Sequence, residues 1–114
     1  MILKRALIAI AACLVPSCEF ERCPELDGVW TMIQHCDESY IGERITVHQS
    51  GCAVSMAIES ANFAGDVASD GDIELQGTVA GREMECDGDA GEDLISMRCR
   101  FLDSADICVV IFDR

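Results

Sequence analysis

At 114 residues the chain has room for one domain, and its formal charge of −13, from 21 acids against eight basic side chains, argues against nucleic acid as a partner. Half of the residues count as hydrophobic, yet four Phe, one Trp and one Tyr are all its aromatics, so the core is small and a covalent staple is expected. Eight cysteines can supply it.

The chain opens on a short basic segment carrying Lys4 and Arg5, followed by an uncharged run over residues 6–15, ALIAIAACLV. The run falls short of the roughly 20 apolar residues that a membrane-crossing helix needs. It has no polar face at helical period, so it reads as a secretory leader. It ends in Val15-Pro16-Ser17-Cys18, which resembles the lipobox of bacterial lipoproteins: an aliphatic residue, a variable one, a small one, then the modified cysteine. The resemblance implies a signal peptide over 1–17, lipidation of Cys18 and anchoring by acyl chains, each buried CH₂ adding about 0.8 kcal/mol. Glu19 is not an inner-membrane retention residue in that family, so the outer membrane is the expected address. Two other readings stay open, a second box at Ile10-Ala11-Ala12-Cys13 and plain secretion after a small residue. The mature chain then divides into a tether, 18–25, and a domain, 26–114. Without Lys4 and Arg5 it holds six arginines against 21 acids, a net −15 that favours cationic partners.

Cysteine arithmetic favours Cys18. Removing Cys13 with the leader leaves Cys23, Cys36, Cys52, Cys86, Cys99 and Cys108, an even six, whereas lipidating Cys13 leaves seven. In an oxidising compartment six read as three disulfides, with fifteen connectivities open. The absence of any CxxC pair argues against zinc and against a redox motif.

Beyond the tether, turn-type residues recur about every ten positions: Gly42, Ser50-Gly51, Ala61-Asn62, Asp70-Gly71-Asp72, Ala80-Gly81, the stretch 87–91 and Asp103-Ser104. This cadence predicts an all-β antiparallel meander with strands over 29–35, 44–49, 52–59, 63–68, 73–79, 82–86, 94–101 and 106–112. In the second and third, Ile45, Val47, Cys52, Val54, Met56 and Ile58 are the inward positions. A Ser50-Gly51 turn would set Val47 against Val54 and Ile45 against Met56. In the next pair, a loop centred on Gly71 opposes Val67 to Leu75, Gly65 to Gly77 and Phe63 to Val79. Two inward glycines leave space that Trp30 is expected to fill, the alternative being a small ligand cavity. A last hairpin around Asp103-Ser104 brings Cys99 near Cys108. The final strand, apolar on both faces, is expected in a central or closing position. Eight strands suffice to close a small barrel, with a sandwich as the alternative.

The segment Leu26-Asp27-Gly28-Val29-Trp30 resembles the Gly-x-Trp opening of lipocalins and related calycin barrels. The resemblance rests on Gly28 and Trp30 and implies that the tryptophan plugs one end of the barrel. Gly51-Cys52 adds a likeness to small eight-stranded periplasmic protease inhibitors.

No constellation reads as an active site. The two histidines, His35 and His48, are the candidate bases and fall on predicted outward faces, and neither Ser39, Ser50 nor Ser55 comes with an elbow or oxyanion signature. Asp87, Asp89, Glu92 and Asp93 form the one calcium-like run. It departs from the EF-hand pattern, with glycine at a ligand position, and reads as an acidic hairpin loop. No cofactor is implied. The expectation is a membrane-anchored, non-enzymatic binding or structural domain whose partner is a cationic protein or a small ligand. Alternatives are an inhibitor of a cationic extracellular hydrolase such as a lysozyme or protease, and a small hydrolase.

Overall fold

A computed structural model describes residues 22–58 and 61–114. The leader, Cys13 and Cys18 lie outside the described residues.

Eight antiparallel strands, β1 (Gly28–Gln34), β2 (Arg44–Ser50), β3 (Ala53–Ile58), β4 (Ala61–Val67), β5 (Asp72–Val79), β6 (Arg82–Ala90), β7 (Leu94–Phe101) and β8 (Cys108–Asp113), follow one another in an up-and-down meander. β8 pairs with both β7 and β1, which closes the sheet into a barrel and leaves no free edge. The closing role expected of the doubly apolar last strand follows from this pairing: Val110 and Phe112 point into the core. Alternation with period two sends Ile45, Val47, Val54, Met56, Ile58, Phe63, Val67, Ile73, Leu75, Ile95 and Met97 inward, and every one is buried. No polar or charged residue among those described is buried.

The registers differ from expectation by two residues in two hairpins. Val47 faces Met56 and Ser50 faces Ala53, so Gly51-Cys52 is the turn and Cys52 sits exposed in it instead of on the inward face of β3. Positive φ at Gly51 is the reason, since only that position accepts the left-handed backbone the tight turn needs. Across β4 and β5, Phe63 faces Gly77, Gly65 faces Leu75 and Val67 faces Ile73. A Cβ on Gly77 would lie 2.7 Å from the Phe63 ring, and one on Gly65 would lie 1.8 Å from the Glu74 carbonyl oxygen. The inward glycines are thus covered by the facing aromatic ring and by the neighbouring strand itself, not by Trp30. Ala61-Asn62, expected as a turn, belongs to β4, with Ala61 opposite Ile58. β6 runs on to Ala90, so half of the expected acidic loop is strand.

Three disulfides join Cys23 to Cys52, Cys36 to Cys108 and Cys86 to Cys99, and no free cysteine occurs among the described residues. Cys99 does face Cys108 across β7 and β8, but each is bonded elsewhere. Three disulfides on so small a fold suggest an oxidising, extracytoplasmic compartment.

Candidate functional site

The meander gives the barrel two unlike ends. Connections after even-numbered strands gather at one end together with the segment before β1, and connections after odd-numbered strands gather at the other.

The first end is sealed. Trp30 is fully buried there, its indole Nε1 donating to the Leu26 carbonyl at 2.8 Å, and Leu26 is equally buried. The Arg114 guanidinium lies 4.4 Å from the centre of the Trp30 ring and donates to the carbonyls of Glu25, Asp27 and Glu92. Gln49 ties down the same segment: its Oε1 accepts from the Leu26 amide, and its Nε2 donates to the Pro24 and Gly51 carbonyls. The Cys23–Cys52 disulfide completes the seal.

The second end opens into a cavity of about 450 Å³. Its depth is apolar, formed by Ile58, Phe63, Val79, Met84, Val110 and the buried Cys86–Cys99 disulfide. Its rim is polar: His35, Asp37 and Tyr40 from the connection between β1 and β2, Arg82 at the start of β6, and Ser104 and Asp106 from the connection between β7 and β8. Two ties hold these loops. Cys36–Cys108 fastens the first connection to β8. Arg82 stacks 3.8 Å over the Phe101 ring and donates to both carboxylate oxygens of Asp103. The hydrogen bonds from Arg82 hold the Asp103 carboxyl below its usual value, and the same bonds raise the Arg82 guanidinium. At the first connection, Asp37 accepts from the Ser39 hydroxyl at 2.8 Å and from its amide at 3.0 Å, which lowers the Asp37 carboxyl. The turn between β5 and β6 puts both Ala80 and Gly81 at positive φ, the geometry of the tight hairpin turns whose twist matches the strands.

His35 is not on an outward strand face as expected; it lies past the end of β1, half-buried in the rim, its ring 5.0 Å from that of Tyr40. Its Nδ1 accepts from the Asp37 amide at 2.9 Å. Ser39 hydrogen-bonds the carboxylate and not the imidazole, so Ser39, Asp37 and His35 do not have the order of a nucleophile relay. His48 is exposed on the barrel's exterior, opposite Ser55 on β3. Asp87 and Asp89 point outward from β6, while Glu92 and Asp93 lie in the turn after it. These four are not among the described groups whose ligand atoms converge. Sequence reasoning missed Arg82, Met84 and Phe101 as cavity residues. Strand parity was the available signal, because in a meander every odd-numbered connection lands at one end.

The exterior of β4 to β6 is a second feature. Asp66 faces Glu74, Glu74 faces Asp87, and Asp72 faces Asp89. Five exposed carboxylates thus stand on adjoining strands with like charges directly opposed. Asp66, Glu74, Glu85 and Asp87 border a shallow depression over Gly65.

Comparison with protein-family models, with curated proteins and with solved structures returns no match.

Proposed function

We propose that this chain is an exported, non-enzymatic binding protein, attached to a membrane through a lipid on Cys18, that takes a small ligand with an apolar body into the open end of its barrel. The carrying observation is the asymmetry of the two ends: Trp30 and Arg114 seal one, while the other holds a cavity of about 450 Å³ with an apolar depth and a polar rim. That volume lies within the range of small-molecule sites, about 300–1,000 Å³, and apolar walls with a few polar groups are their usual lining. The rigid staple beside it lowers the entropic cost of keeping the site formed. The Gly28 and Trp30 opening, with the tryptophan buried at the sealed end, supports a lipocalin-like reading of the fold.

A fluorescent apolar amine, phenylnaphthylamine, tests the site. Its emission should rise with the protein and fall on adding medium-chain alkanols. Met84→Trp, which fills the apolar depth, should abolish the rise while leaving the circular dichroism unchanged. No rise, or a rise indifferent to Met84→Trp, overturns the reading. The anchor is tested by intact mass of the exported protein: a thioether-linked diacylglycerol on Cys18 is expected, and an unmodified Cys18 excludes it.

The carboxylates on β4 to β6 favour a second reading, an inhibitor or ligand of a cationic protein such as a basic hydrolase, since an acidic concave face steers positively charged partners. Salt-sensitive binding to lysozyme, weakened by Glu74→Gln with Asp87→Asn, is its expected outcome.

A further inference from the structure

Three donors from two distant parts of the chain meet at the cavity rim. A ring nitrogen of His35, Cys36 Sγ and Cys108 Sγ all lie within 4.8 Å of one another, the one such convergence of three His, Cys, Asp or Glu side chains among the described residues. His35 and Cys36 are neighbours after β1, while Cys108 opens β8, 72 residues beyond Cys36. In the oxidised protein the two sulfurs are spent on each other. Cys36 is exposed and Cys108 half-buried, so a dissolved reductant can reach the bond, whereas Cys86–Cys99 is buried in the barrel. The Cα atoms of Cys36 and Cys108 are 5.4 Å apart and are held there by more than the disulfide. β8 is paired on both sides, and the Gly42 amide donates to the Met32 carbonyl at the root of the loop.

We propose that reduction of Cys36–Cys108 uncovers a three-ligand site for a thiophilic cation of the zinc type, made by the two thiolates and His35. The steps balance. An external dithiol gives two electrons and two protons to the Cys36–Cys108 bond, becoming a cyclic disulfide and leaving two thiols. The cation then binds both as thiolates, releasing two protons to solvent. His35 Nδ1 lies 3.8 Å from Cys36 Sγ, and its lone pair accepts from the exposed Asp37 amide. The cation takes that lone pair and water takes the amide. Two sulfurs and one imidazole match the borderline-soft preference of zinc and leave one of four tetrahedral positions open. Cys23–Cys52 is also accessible, but reduction there yields two thiols with no third donor converging on them. The site stands apart from the small-ligand proposal and holds whether or not the cavity takes an apolar molecule.

The test uses the full chain with Co²⁺ as the probe. After treatment with a dithiol, one equivalent of Co²⁺ should bind with a thiolate-to-metal charge-transfer band, which Zn²⁺ then bleaches. The oxidised protein should show no band. His35→Gln should weaken binding at least about tenfold, since loss of even an outer partner of a metal ligand costs 10–100-fold. On the unaltered chain, peptide-mapped alkylation should find Cys36 and Cys108 shielded by Zn²⁺, a readout that no misfolded variant can mimic. A band that survives in the Cys36→Ser, Cys108→Ser protein overturns the assignment. So does shielding that maps to other cysteines, or a His35→Gln protein with unchanged affinity.

Discussion

Arg114 lays its guanidinium 4.4 Å above the buried ring of Trp30 and reaches past it to three carbonyls, those of Glu25, Asp27 and Glu92. One side chain thereby joins the segment before β1, the end of β8 and the turn between β6 and β7. A planar five-donor fork can make these bonds while stacked on an indole, and an ammonium cannot. Arg114→Ala is expected to cost about 2 kcal/mol in urea denaturation, combining cation–π stacking with charge-assisted hydrogen bonds. Arg114→Lys should recover less than half of it. Trp30 is the one tryptophan, so its emission should shift to the red in both variants.

The close approach at Gly65 makes a second expectation. A Cβ there would sit 1.8 Å from a backbone oxygen of β5, an obstacle that cannot rotate away. Gly65→Ala should destabilise by about 3 kcal/mol or more, at the upper end of overpacking costs. Amide exchange should accelerate first in β4 and β5, and a variant as stable as the parent would contradict the register.

Ala80 carries the opposite prediction. It holds φ of 53°, a left-handed conformation that costs an L-residue with a Cβ roughly 1–2 kcal/mol. Ala80→Asn gives the Asn-Gly pair preferred in this turn, and should raise the melting temperature with a gain of about 0.5–1 kcal/mol.

The opposed carboxylates of β4 to β6 should respond to charge and salt. Directly facing like charges are destabilising by roughly 0.2–1 kcal/mol per pair. Glu74→Gln relieves two such contacts, with Asp66 and with Asp87, and should stabilise the fold. The gain should shrink as salt is added, because the contacts are exposed and screened. A salt-independent difference would point to packing and not charge.

Acid titration reports on the loops at the open end. The Asp103 carboxyl is lowered in the folded state by Arg82, so its contribution is present above the ordinary aspartate value and disappears as pH falls through the depressed one. Asp37, lowered by Ser39, follows the same sign. In the wild type minus Asp103→Asn difference, the stability advantage should therefore be constant near neutrality and vanish in acid below the ordinary carboxylate range. A difference that grows on acidification would reverse the assignment.

The order of eight strands and the identity of their inward faces were legible in the chain because alternation has period two and tight turns demand particular residues. The same alternation is blind to a slip of two positions, which returns every side chain to its own face. That is why Val47 was expected against Val54 but meets Met56, and why Cys52 moved from strand to turn. The even cysteine count foretold three disulfides, yet their pairing waits on closure of the barrel, which brings Cys36 to Cys108 across 72 residues. Arg114 over Trp30, the cavity rim and the cluster at His35 likewise join residues that no local pattern links. Composition and periodicity determined the strands and their faces, being properties of neighbouring residues. Only the tertiary structure decided register, disulfide partners and the open end, because these depend on which turns set the pairing and where the last strand meets the first.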